Sequence, residues 1–116
     1  MRHSEDENLV KKFIEKSEAY AVAISSGHAK ADKINKDITE IAERMIRGNL
    51  SGYLSTLSLS DKSPSASAWA CMMLIQRNAN IDSEEKKKLA QRLRTLEAHL
   101  GVMRMMVIAF LSLNRL

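Results

Sequence analysis

A single proline, Pro64, and four glycines, Gly27, Gly48, Gly52 and Gly101, are the only strong backbone interruptions in this chain. Proline and glycine punctuate helices and strands, so the segments between them are free to run long. Those segments are rich in Ala, Leu, Met, Ile, Lys, Glu and Arg, the stronger helix formers, and poor in Val, Tyr, Phe and Thr, which favour strands. The expected class is therefore all-α. At 116 residues the chain supports one helical domain, 1–116, with a flexible start at residues 1–4, and can bury enough surface to fold without disulfides or metals.

Hydrophobic spacing and capping residues predict about six helices joined by short connections. Ser4 to Glu7 reads as a capping box opening a first helix from about Glu5 to Ser25, with Leu9, Val10, Phe13, Ile14, Tyr20, Ala21 and Ile24 near one face. A second helix follows from about Ala29 to Arg47, turning Ile34, Ile38, Ile41, Ala42 and Met45 inward. Gly48 ends it. Leu50, Tyr53, Leu54 and Leu57 mark a short third helix, and Ser63 with Pro64 opens a fourth as N-cap and first helical residue. Asp82 to Glu85 caps a fifth, whose stripe is Leu89, Leu93, Leu96 and Leu100, closed by Gly101. The sixth, Val102 to about Leu113, is apolar around most of its circumference and is expected to be covered on more than one side.

Groups for catalysis are not clustered. His3, His28 and His99 are scattered, and no metal-ligand spacing or glycine-rich phosphate loop can be drawn, so no metal, no cofactor and no enzymatic activity are expected. His28 and His99 read as cap or surface residues. Cys71 lies in the apolar run Trp69 to Ile75, where a thiol behaves as a small hydrophobe. The methionines Met72, Met73, Met103, Met105 and Met106 are read as core fillers before they are read as an adaptable groove. The acidic N-terminus lacks the apolar stretch of a signal peptide, and Val102 to Leu113 is too short for a bilayer span, which predicts a cytoplasmic protein without membrane contacts.

Charge is balanced over residues 1–48, and most of the surplus of bases behind the net +4 lies in residues 82–116. Two candidate surfaces follow. Asp37, Glu40 and Glu43, at intervals of three on the second helix, offer an acidic face for a basic partner. Lys86, Lys87, Lys88, Arg92 and Arg94 on the fifth offer a basic face, weaker than a nucleic-acid footprint usually is. Solvation is the ordinary role of either set.

The stretch Leu54-x-x-Leu57-x-Leu59-x-Asp61-x-Ser63-Pro64-x-Ala66-x-x-Trp69-Ala70-x-x-x-Leu74 resembles a HEAT-like repeat, two antiparallel helices meeting at a turn. Pairing one with two, three with four and five with six would give three such units in a compact HEAT-like bundle. With Leu9-Val10-x-x-Phe13, the helix Ile34 to Ile46, the Asp61 to Ala70 turn and the apolar end Leu100 to Leu113, the whole chain resembles a bacterial family of small HEAT-like domains of unknown function. Members of that family lie beside polymorphic-toxin genes. The resemblance implies an immunity protein that neutralises a cognate toxin domain of a contact-dependent or related interbacterial effector, with a nuclease as the expected toxin. The alternative is a nucleic-acid-binding or regulatory helical protein that uses residues 86–94.

Overall fold

In the computed structural model the backbone is described from Arg2 to Leu116, and the side chains of Arg2, His3, Ser4 and His28 lie outside the description. Six α-helices are present among the described residues: α1 (Arg2–Ser26), α2 (His28–Arg47), α3 (Ser51–Ser58), α4 (Pro64–Arg77), α5 (Ser83–Leu96) and α6 (Arg104–Leu113). Among the described residues no strand interrupts them. The all-α reading with about six helices is what the chain adopts. Its radius of gyration is 13.3 Å, matching the roughly 13 Å expected of a compact domain of this length.

Helix starts follow local chemistry in two places where the sequence announces it. Ser63 accepts the Ala66 N–H at 3.2 Å with Pro64 just inside, and Asp82 accepts the Glu85 N–H at 2.8 Å. The first helix departs from expectation. It begins at Arg2, so Ser4 sits inside the helical backbone and cannot be its N-cap, and the side-chain half of the expected capping box falls outside the described residues. The cap or surface role expected of His28 falls outside them as well.

One residue separates α1 from α2. Gly27 turns the chain with φ 153° and ψ 149°, a region open essentially to glycine alone. The turn lays the two helices against each other in opposite directions, and Lys16 and Asp37, nearly equidistant from it, meet at 3.1 Å. The end of α2 is a correction to the glycine reading. Gly48 keeps a right-handed φ of −88°, and Asn49 takes the left-handed step at φ 63°. Leu50 N–H bonds the Met45 carbonyl at 2.7 Å and Asn49 N–H the Ile46 carbonyl, a Schellman closure. A Cβ at position 48 would lie 3.1 Å from the Arg44 carbonyl, which gives the glycine its own local reason. Leu116, Arg115 (φ 56°) and the Leu111 carbonyl repeat the same closure after α6.

The core is organised around α4. Every residue from Ala66 to Ile75 is buried, and α1, α2, α3 and α5 all pack on this helix. Its small residues, Ala66, Ser67, Ala68, Ala70 and Cys71, allow neighbours to approach on several sides, while Trp69, Met72, Met73, Leu74 and Ile75 fill the remaining volume. Phe13 and Tyr20 of α1, Ile38, Ala42 and Met45 of α2, Leu54 of α3 and Leu93 of α5 complete one contiguous core. Tyr20 meets Trp69 edge to face, ring centroids 5.0 Å apart at 81°, a favoured aromatic geometry.

The expectation of a covered sixth helix is overturned. Only Val107 and Leu111 of α6 are buried, and Met105 is 69% and Leu113 85% exposed. The third hairpin is also missing. After α5 the chain passes through two 3₁₀ turns, Glu97–His99 and Gly101–Met103, and α5 and α6 have little direct contact, in contrast to the extensive α1–α2 and α3–α4 pairs.

Candidate functional site

The acids nominated on α2 do not form one open patch. Successive steps of three residues rotate by about 60° around a helix, so Asp37 and Glu43 diverge toward opposite seams. Asp37 is half-buried and pairs with Lys16 of α1 at 3.1 Å. Glu43 pairs with Arg77 of α4 at 3.1 Å. Glu40 alone of the three is exposed and without an ion pair among the described residues. A patch of three becomes one open carboxylate flanked by two partly neutralised ones.

Glu18 of α1 also has a fixed partner. The Ser63 hydroxyl donates to its carboxylate at 3.1 Å while accepting the Ala66 N–H. The carboxylate thereby lies beside the N-terminus of α4, where the helix dipole favours negative charge. This bond reaches across 45 residues, and no local pattern in the sequence announces it.

The basic face divides in the same way. Lys87, Lys88 and Arg94 are exposed and Lys86 is half-buried. Arg92 is turned inward. Its Nε–H donates to the Ser58 carbonyl at 2.8 Å, and its Nη2 donates to the Ser60 carbonyl and the Asp61 carboxylate, each at 3.1 Å. The planar guanidinium reaches acceptors arranged along one edge, as an ammonium could not. Arg92 therefore closes the C-terminus of α3, whose last carbonyls have no partner within the helix, and it is withdrawn from the proposed phosphate-binding set.

Ser58 is the centre of this arrangement. Its carbonyl accepts from Ser67 Oγ at 2.6 Å and Arg92 Nε, with Cys71 Sγ at 3.9 Å. Burial pushes the Cys71 thiol up to about 12, with the nearby Arg92 charge opposing the shift. At neutral pH the sulfur is a protonated core atom, as its apolar surroundings in the sequence imply. Burial also raises the Tyr20 hydroxyl, and the Asp32 charge adds to that shift while a hydrogen bond with Asn35 opposes it.

No cluster of three or more metal-ligating side chains occurs among the described residues, and no helix among them is long and apolar enough to cross a membrane. His99 is exposed and borders a shallow surface pocket with Asp61, Pro64 and Arg92. Of the five methionines considered together, Met72, Met73 and Met103 are buried, Met106 is half-buried and Met105 is exposed. No family model, no curated protein and no solved structure matches the chain.

Proposed function

We propose that this chain acts by binding and not by catalysis, and that it is a cytoplasmic immunity protein for the toxin domain of a contact-dependent or related interbacterial effector. The α3–α4 hairpin supports the reading: Asp61, Ser63, Pro64 and Trp69, the residues that carry the family resemblance, build a capped turn feeding a buried helix. Within the candidate surface on α2, Glu40 is the residue open to a basic partner, and Asp37 and Glu43 contribute only by exchanging their present partners. A nucleic-acid role for α5 has less to work with, because Arg92 is committed to α3.

The test is to co-express this chain with any toxin domain that a neighbouring gene encodes and to measure growth and complex formation. Restored growth with a stable complex is expected, and Glu40→Lys, which leaves the fold untouched, should weaken both. Absence of a complex with that domain, together with salt-dependent retention on DNA or RNA, would replace this reading with the nucleic-acid one.

A further inference from the structure

The path from α5 into α6 is one helical run broken at one residue. Between Ser83 and Leu113, Gly101 alone has a positive φ, 54°, while Glu97, Leu100, Met103 and Arg104 around it keep right-handed dihedrals. No proline and no capping side chain marks the break. Ser63 and Asp82 cap α4 and α5 through their side chains, whereas Met103, at the start of α6, makes no such bond. Apolar residues run through the break without a change of phase. Leu93, Leu96, Leu100, Met103, Val107 and Phe110 alternate at intervals of three and four, the pattern of one continuous helical seam. All but the half-buried Phe110 are buried.

We infer that the chain straightens at Gly101 and exchanges α6 between two copies, forming a domain-swapped dimer. On straightening, α6 leaves its own core and carries the apolar side chains of Met103, Val107 and Leu111 into water. The surface shaped to cover them is the seat vacated in the second copy, where each regains the contacts it now makes. Little holds the bend itself, since α5 and α6 scarcely touch each other. Because the exchange is reciprocal, the dimer is two-fold and closed, and the two forms differ chiefly in the hinge and in mass action.

Gly101→Ala separates the two hinge states. Alanine disfavours the left-handed step and favours a continuous helix, so each hinge should shift toward the straight form by about tenfold or more. A dimer contains two hinges, and its association constant should rise by about a hundredfold or more. Gly-Ser-Gly inserted after Gly101 acts in the opposite sense, because a slack connection lets α6 fold back on its own core.

The wild type, Gly101→Ala and the insertion variant are each refolded from denaturant at about 1 mM, checked for helicity by circular dichroism and separated by gel filtration with light scattering. The wild type should give a minor dimer peak at twice 13.0 kDa, Gly101→Ala a dominant one, and the insertion variant monomer alone. Met105→Asp with Leu113→Asp, both on the exposed face of α6, should leave the dimer in place. A wild type without any dimer would overturn the inference, as would a helical Gly101→Ala with no more dimer than the wild type, or a dimer that survives the insertion. So would a dimer abolished by the Met105→Asp and Leu113→Asp changes, the signature of association through outer faces. Should alanine prevent folding, the wild type and the insertion variant decide the matter: a dimer in the first that is absent from the second supports the exchange, and any other result overturns it.

Discussion

Arg92 and Ser58, 34 positions apart, are joined by a 2.8 Å hydrogen bond from a guanidinium nitrogen to a main-chain carbonyl. This bond fastens α5 to the end of α3, and it turns a residue that looks like surface charge into a structural one.

Arg92→Ala should therefore destabilise the fold by about 2–3 kcal/mol, because charged donors to otherwise unpaired carbonyls are lost. Arg92→Lys should recover little of that, since one ammonium cannot reproduce the fork. Asp61→Asn is the contrasting variant. Its side chain is 92% exposed, and the change should cost less than about 1 kcal/mol. Urea denaturation of the three variants measures the difference.

Trp69→Ala should cost about 3–5 kcal/mol by opening a large cavity beside Tyr20. Trp69 Nε1 is buried without a hydrogen-bond partner among the described residues, so Trp69→Phe gives up volume but no hydrogen bond. Its cost should be less than half that of alanine. An equal loss in the two variants, read from their denaturation midpoints, would mean that the volume removed does not set the cost.

Backbone conformation separates two positions that look alike in the sequence. Gly27→Ala should destabilise by about 1–3 kcal/mol through the dihedral alone, because the added Cβ meets nothing within 4 Å. Asn49→Gly should stabilise by a few tenths of a kcal/mol to about 1 kcal/mol by removing left-handed strain. Thermal melts of the pair should shift in opposite directions.

Cys71 should resist thiol reagents under native conditions and react fully in denaturant. Its contribution to the pH dependence of stability has a definite sign. The thiol rises from 9.0 to about 12 on folding, so above pH 9 the unfolded chain releases a proton that the native one retains. Stability is unaffected below that range and falls between about pH 9 and 12. Cys71→Ser, followed by denaturation at pH 8 and pH 10.5, should remove the part of the decline owed to this group.

The helices on either side of Gly27 and the capped starts of α4 and α5 were legible because each depends on local spacing or on one side chain meeting a nearby amide. The inward residues of α2 and the Leu93, Leu96 and Leu100 stripe were legible for the same reason. The central place of α4, with four helices around it, and the peripheral place of α6 were not. Apolar content measures what a helix gains by burial, but whether neighbours surround it depends on chain path. The small residues of α4 allowed four helices to close around it, while α6, with larger and more apolar side chains, reached the edge of the bundle. The candidate sites failed similarly, since Lys16 with Asp37, Arg77 with Glu43, and Arg92 with Ser58 are pairings between distant segments.

A stack of helical repeats tolerates truncation, because each unit rests only on the next. The enclosed α4 removes that tolerance. Its neighbours come from both sides of it in the sequence, α1, α2 and α3 before and α5 after, so a cut at residues 60–63 leaves neither fragment with a complete lining. Unfolding should accordingly be a single all-or-none step whichever end of the chain is probed, and the two fragments should each fail to fold alone and regain helicity on mixing.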